Sequence, residues 1–128
     1  MSYLNASHPF TVTSTLAAQR IVAAASGGNA CQYPASTLDT QVPLGITLDT
    51  VKETSTAIAV AVSGVAKLYF NDTCATGTLV TSDTSGRGIP YVAVSIGGAY
   101  VGILIGPSVA LTGTVAEVLI RPGMGTSA

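Results

Sequence analysis

Apolar positions recur with a period of two over short runs, and turn residues break the runs. Leu44-Gly45-Ile46-Thr47-Leu48 alternates apolar with small or polar residues, and residues 56–62 alternate again with Ile58, Val60 and Val62 on one side. Successive side chains of a strand point to opposite faces, so both runs predict half-buried strands. Gly64 interrupts the second run. Val65, Lys67 and Tyr69 then set one face, and Ala66, Leu68 and Phe70 the other face, of a further strand. Residues 78–81, 91–96, 100–105 and 114–120 complete the expected set. Residues 16–25 read two ways: their alanines suit a helix, but Ile21, Val22 and the following Ser26-Gly27-Gly28-Asn29 favour a strand entering a hairpin. Asn71-Asp72-Thr73 and the run from Ser82 to Gly88 are dense in residues that bond their own backbone or tolerate positive φ. Turn signals at roughly 8–12-residue intervals between β-rich runs predict an all-β protein, a small sandwich or barrel.

Three segments follow from this pattern. Residues 1–15 sustain no period and read as an extended arm, residues 16–121 as the β domain, and residues 122–128 as a loose tail. The arm carries isolated large apolar side chains at Tyr3, Leu4, Phe10 and Val12, which need a surface to lie on. A faint internal echo is also present. Gly45-Ile46-Thr47-Leu48 followed by residues 58–64, and Gly102-Ile103-Leu104-Ile105 followed by residues 115–120, each give a short strand, a connection and a longer alternating strand.

Composition changes the picture at the surface. The 128 residues are 9% charged and 48% apolar, with a formal net charge of -1 and a mean hydropathy of +0.55. Typical globular proteins are about 25% charged. The outside must therefore be built from Ser, Thr, Gly and Ala or be covered by partners. No basic footprint for nucleic acid exists. From Gly88 to Ala116 no charged residue occurs, but Pro90, Gly97, Gly98, Gly102, Gly106, Pro107 and Gly113 divide this stretch into strands and turns, so no membrane span is expected. Residues 1–10 lack the basic and apolar runs of a secretory leader. Edge strands without charge tend to pair with other chains. The charge-free run from Tyr91 to Val115 is accordingly the expected subunit interface, with Tyr91, Val94, Ile96, Tyr100, Ile103 and Ile105 as its contact residues.

The candidate chemistry is sparse. His8 is the only imidazole, and Asp39, Asp49, Glu53, Asp72, Asp83 and Glu117 are dispersed, mostly in turns. This pattern offers no preorganised acid, base or nucleophile, so no enzyme is expected, and no cofactor, metal or small-molecule substrate either. Asp83 reads as a turn residue rather than a calcium ligand. Cys31 and Cys74 read as two thiols, with one disulfide as the alternative in an oxidising setting.

From Leu44 onward the chain resembles the small head-decoration, or capsid cement, proteins of tailed bacteriophages. The matching pieces run from Leu44 to Thr50, from Ala57 to Gly64, and on through Val65-Ala66-Lys67-Leu68. Gly77-Thr78-Leu79-Val80-Thr81-Ser82-Asp83 with Gly86-Arg87 comes next, and residues 115–120 close the series. The resemblance implies a β-tulip-like domain, a homotrimer, and binding to the major capsid protein on the exterior of a virion assembled in the host cytoplasm, where it stabilises the shell. The arm precedes the matching pieces; its apolar side chains Tyr3, Leu4, Phe10 and Val12 are expected to dock it on such a shell by strand addition to a sheet edge. Two other readings stand beside it. One is a carbohydrate-binding or adhesin-like module stacking sugars on Tyr69, Tyr91 and Tyr100; the other is a fibre or tail subunit with open symmetry.

Overall fold

The computed structural model describes residues 5–12, 16–25, 29–33, 43–48, 50, 57–83, 85–91 and 99–124. Nine strands occur among them: β1 Asn5–Val12, β2 Ile21–Ala25, β3 Ala30–Gln32, β4 Gly45–Thr47, β5 Ala57–Tyr69, β6 Leu79–Ser82, β7 Gly88–Pro90, β8 Ala99–Leu104 and β9 Val115–Met124. The described residues contain no helix, and so none long and apolar enough to cross a membrane. The fold is all-β.

The strands β1-β3-β2-β4-β5 are hydrogen-bonded in that order, and β5 pairs back with β1, closing a five-stranded barrel. Only the β1–β3 pairing in this ring is parallel. From the C-terminal half of β5 a second, antiparallel sheet continues as β9-β8-β6-β7. It curls back on itself: Phe70 bridges Gly88, and Asn71 N donates to Gly88 O at 2.9 Å.

β5 therefore serves both halves, and it is not straight. Thr47, the cross-strand partner of Val60, accepts a bond from Gln19 N at 2.8 Å, and Gln19 O accepts one from Tyr69 N at 2.9 Å. That route from Val60 to Tyr69 is on the order of 15 Å, whereas the same stretch of straight strand spans roughly 30 Å. Gly64, at φ 86°, lies between them in the left-handed region that glycine enters without strain. Gly64 is thus a bend inside one strand, not the break between two.

Strand alternation feeds two cores. Val12, Leu16, Val22, Cys31, Ile58 and Val60 fill the barrel, with Phe10, Tyr33, Leu44 and Val62 packed against them. Phe70, Leu68, Val80, Val101, Leu104 and Val118 belong to the second core. Ile21, Ile46 and Ala61, which lie opposite one another on β2, β4 and β5, belong to that second core as well. The barrel wall is therefore covered on both faces here, which is why β4 is buried at all three positions.

Several sequence expectations need correction. Asn5–Val12, within the expected arm, is a stave of the barrel, paired with β5 from Asn5↔Gly64 to Thr11↔Ala57. Its residues show no period because residues 6–9 are all exposed in succession, while Phe10 and Val12 turn inward. The strand expected over 16–25 begins only at Ile21. Residues 17–20 are instead tied to Thr47, whose buried hydroxyl donates to Ala17 O at 2.7 Å and accepts from Arg20 N at 3.0 Å. β9 continues past Ile120 into the expected tail and pairs Gly123 with Tyr100. Of the strand expected over 91–96, residues 92–96 lie outside the described residues.

The internal echo has a structural counterpart. β4 and β8 are each a short strand antiparallel to a longer one, β5 and β9. A Cβ at Gly45 would run into the carbonyl oxygen of Ala61, and a Cβ at Gly102 into that of Leu119. Both units use a glycine for the same close backbone approach.

Candidate assembly surface

The second sheet turns one face inward and the other outward. On the outward face the cross-strand registers Leu79↔Ile103, Ile103↔Leu119 and Leu119↔Val65 place four aliphatic side chains in one row across β6, β8, β9 and β5. Directly opposed residues share a face, and all four are half-buried. One step along, Lys67 stands opposite Glu117, and next comes Tyr69 opposite Val115. Ile105, 46% exposed, extends β8 beside Glu117, to whose carbonyl its N–H donates at 3.1 Å. At the other margin Tyr91 N donates to Leu79 O at 2.8 Å, and the Tyr91 and Tyr100 rings meet edge to face with centroids 5.5 Å apart.

Four of the six residues expected at a subunit interface, Tyr91, Tyr100, Ile103 and Ile105, belong to this surface. Val94 and Ile96 lie outside the described residues. Leu79, Val65, Leu119 and Val115 are members that sequence reasoning missed. Their alternation was visible, but which of two faces points outward depends on pairing between strands far apart in the chain.

The expected capsid-binding arm fares differently. Tyr3 and Leu4 lie outside the described residues. Val12 is buried in the barrel core and Phe10 packs against that core, so these two are wall residues and not a free docking segment.

Near the row, loop 105–114 is held firmly. Cys74 and Val109 exchange backbone bonds of 3.0 and 2.8 Å, and Thr76 Oγ1 donates to Gly106 O at 2.7 Å. Thr114 Oγ1 donates to Leu111 O at 2.8 Å. This loop presents Leu111 at 73% exposure.

The polar groups are occupied in ways that build turns. Asp83 Oδ1 accepts from Ser85 N and Arg87 N, both at 2.9 Å, while Oδ2 accepts from Arg87 Nε at 2.8 Å and Asn71 Nδ2 at 3.2 Å. This carboxylate is the clamp of its own turn. Asp72 accepts from Thr73 N at 2.8 Å. His8 is exposed on β1, its Nε2 3.4 Å from Asn29 Oδ1 and its ring against Phe10. Asp39, Asp49 and Glu53 lie outside the described residues. Among the described residues no three His, Cys, Asp or Glu side chains gather where a metal ion would sit, and every buried side-chain nitrogen or oxygen has a partner.

Cys31 and Cys74 are free thiols in separate cores. Burial pushes both above their ordinary value, and Asp72 adds to the effect at Cys74. The three tyrosines considered for sugar stacking are not gathered. The Arg20 guanidinium covers Tyr69 at 4.2 Å from the ring centroid, and Tyr91 and Tyr100 are packed on each other. Tyr69 pairs with Val115 and Tyr100 with Gly123, at opposite ends of β9, roughly 26 Å of strand apart.

The architecture thus defines an all-β class: a five-stranded barrel sharing one strand with a second, curled sheet. No protein-family model matches the sequence, and no curated protein matches it. In structure the chain is similar to the head fiber gp8.5 N base of bacteriophage phi29, with a TM-score of 0.67 and 15% sequence identity, over 92% of this chain and 95% of that one. At that identity the likeness is one of fold.

Proposed function

We propose that this chain is a structural, non-catalytic component of a tailed-phage virion. In this reading it sits on the outside of the head as a homo-oligomer, bound to the major capsid protein. The carrying observation is the fold shared along nearly the whole length of both chains with the base of a phage head fibre. The outward aliphatic row supports it, because a chain with so little charge that presents such a row gains by covering it. Two roles fit this position. A cement protein occupies many lattice positions and reinforces the shell, in keeping with the sequence resemblance. A fibre base anchors a projecting appendage, in keeping with the structural neighbour.

The test uses heads, stripped of external proteins, of the phage that encodes the chain. Purified protein is expected to co-sediment with them. Binding at many regular lattice positions, together with a raised temperature of head disruption, identifies cement. Sparse binding without that rise identifies a base. A protein that stays in the supernatant at all concentrations overturns both roles.

A further inference from the structure

Among the described residues the barrel wall is interrupted between β1 and β3, and a proline stands there. β1 pairs with β5 along its length but with β3 only at Thr11 and Val12. Asn29, at φ 47°, turns the chain away from β1 just before β3 begins. Among the described residues, the last bond on that side runs from Thr11 N to Asn29 O at 2.7 Å. Backbone groups two residues apart in a strand point to the same edge. The nitrogen of Pro9 and the N–H of Ser7 therefore share the edge that Thr11 N uses. The opposite side agrees: Ala59, the partner of Pro9, gives its carbonyl to Leu48 N on the β4 side at 3.0 Å, so Pro9 and Ala59 form a pair without cross-strand bonds. Residues 6–9 are all exposed.

An exposed edge of this kind is a template for a strand of another chain. Proline removes a donor and is confined to edges for that reason. We propose that Pro9 is an edge guard: it denies the donor next in line after Thr11, and so prevents a second copy of this chain from adding a strand to β1. Copies then meet through sheet faces. The strand addition expected of the arm is disfavoured at the same place, because only Ser7 offers a donor between residues 7 and 9.

Two measurements test this. In the wild-type protein at low concentration, the Ser7 amide is expected to exchange hydrogen as fast as an unpaired, exposed group; protection there would mean that the edge is already covered and would overturn the proposal. Pro9→Thr restores the donor without breaking any bond. By light scattering after size separation, this variant is expected to shift to masses beyond those of the wild type as concentration rises. Adding Ser7→Pro should return it to the wild-type distribution. A wild-type mass distribution for P9T, or large assemblies that persist in the double variant, sinks the idea.

Discussion

Buried thiols are where single side chains of this molecule meet solution conditions. Cys31 and Cys74 sit in different cores, and in the fold both ionise above the ordinary thiol value of 9.0, chiefly because burial penalises the thiolate. The unfolded chain ionises first. The stability these thiols contribute is therefore complete below pH 9, and it falls away as the pH climbs from 9 through their folded values. Each costs at most about 1.4 kcal/mol per pH unit within that window. Urea unfolding at pH 8 and pH 10 should show a smaller alkaline loss in the Cys31→Ala/Cys74→Ala variant than in the wild type. An identical loss would place the thiols in contact with water.

At the scale of strands, the two glycines at corresponding positions set the tightest demand. Gly45→Ala and Gly102→Ala would each drive a methyl group into a neighbouring carbonyl, and each should destabilise by about 1–3 kcal/mol or more. Denaturant titration measures this, and wild-type stability in G102A would mean that β8 and β9 stand further apart than described. The repeat of these glycines was legible in the sequence, as were the alternating runs that became β5 and β9. Other strands were not legible, each for a physical reason. Among the described side chains of β1, two turn inward. β3 and β7 are three residues each, and β7 lies directly after a turn-rich run. β4 was legible as a strand but not as a fully buried one: both its faces meet a core, so its alternation encodes two cores and not the core and surface expected of a half-buried strand. The row Val65, Leu119, Ile103, Leu79 could be found only through register, since its four members come from four strands.

For the molecule as a whole, the row sets a limit on self-association. Full burial of such a side chain contributes about 1.5–3 kcal/mol. These four are already half-buried, so covering them adds about 1 kcal/mol each, or about 4 in total. Association costs at least about 4 kcal/mol in lost freedom. The row alone therefore only breaks even, and Tyr91, Tyr100, Ile105 and Val115 must be covered too, or several copies must bind one lattice and gain from effective concentration. Ile105→Asp tests the surface with little risk to the fold, because the side chain is exposed and surface changes usually stay within about 0.5 kcal/mol. In the proposed homo-oligomer the variant should melt near the wild-type temperature and show a lower mass on sizing; an unchanged mass would exclude this face from the proposed contacts.

The bend of β5 at Gly64 has a mechanical consequence. One uninterrupted backbone forms part of the barrel wall and then part of the second sheet. A load that pulls the two halves apart is carried along the backbone of β5, and it must shear that strand from its hydrogen-bonded neighbours β1 and β4 on one side or β9 on the other before the halves come apart. In the proposed role on a shell strained from within, such a strand would serve as a tie-rod.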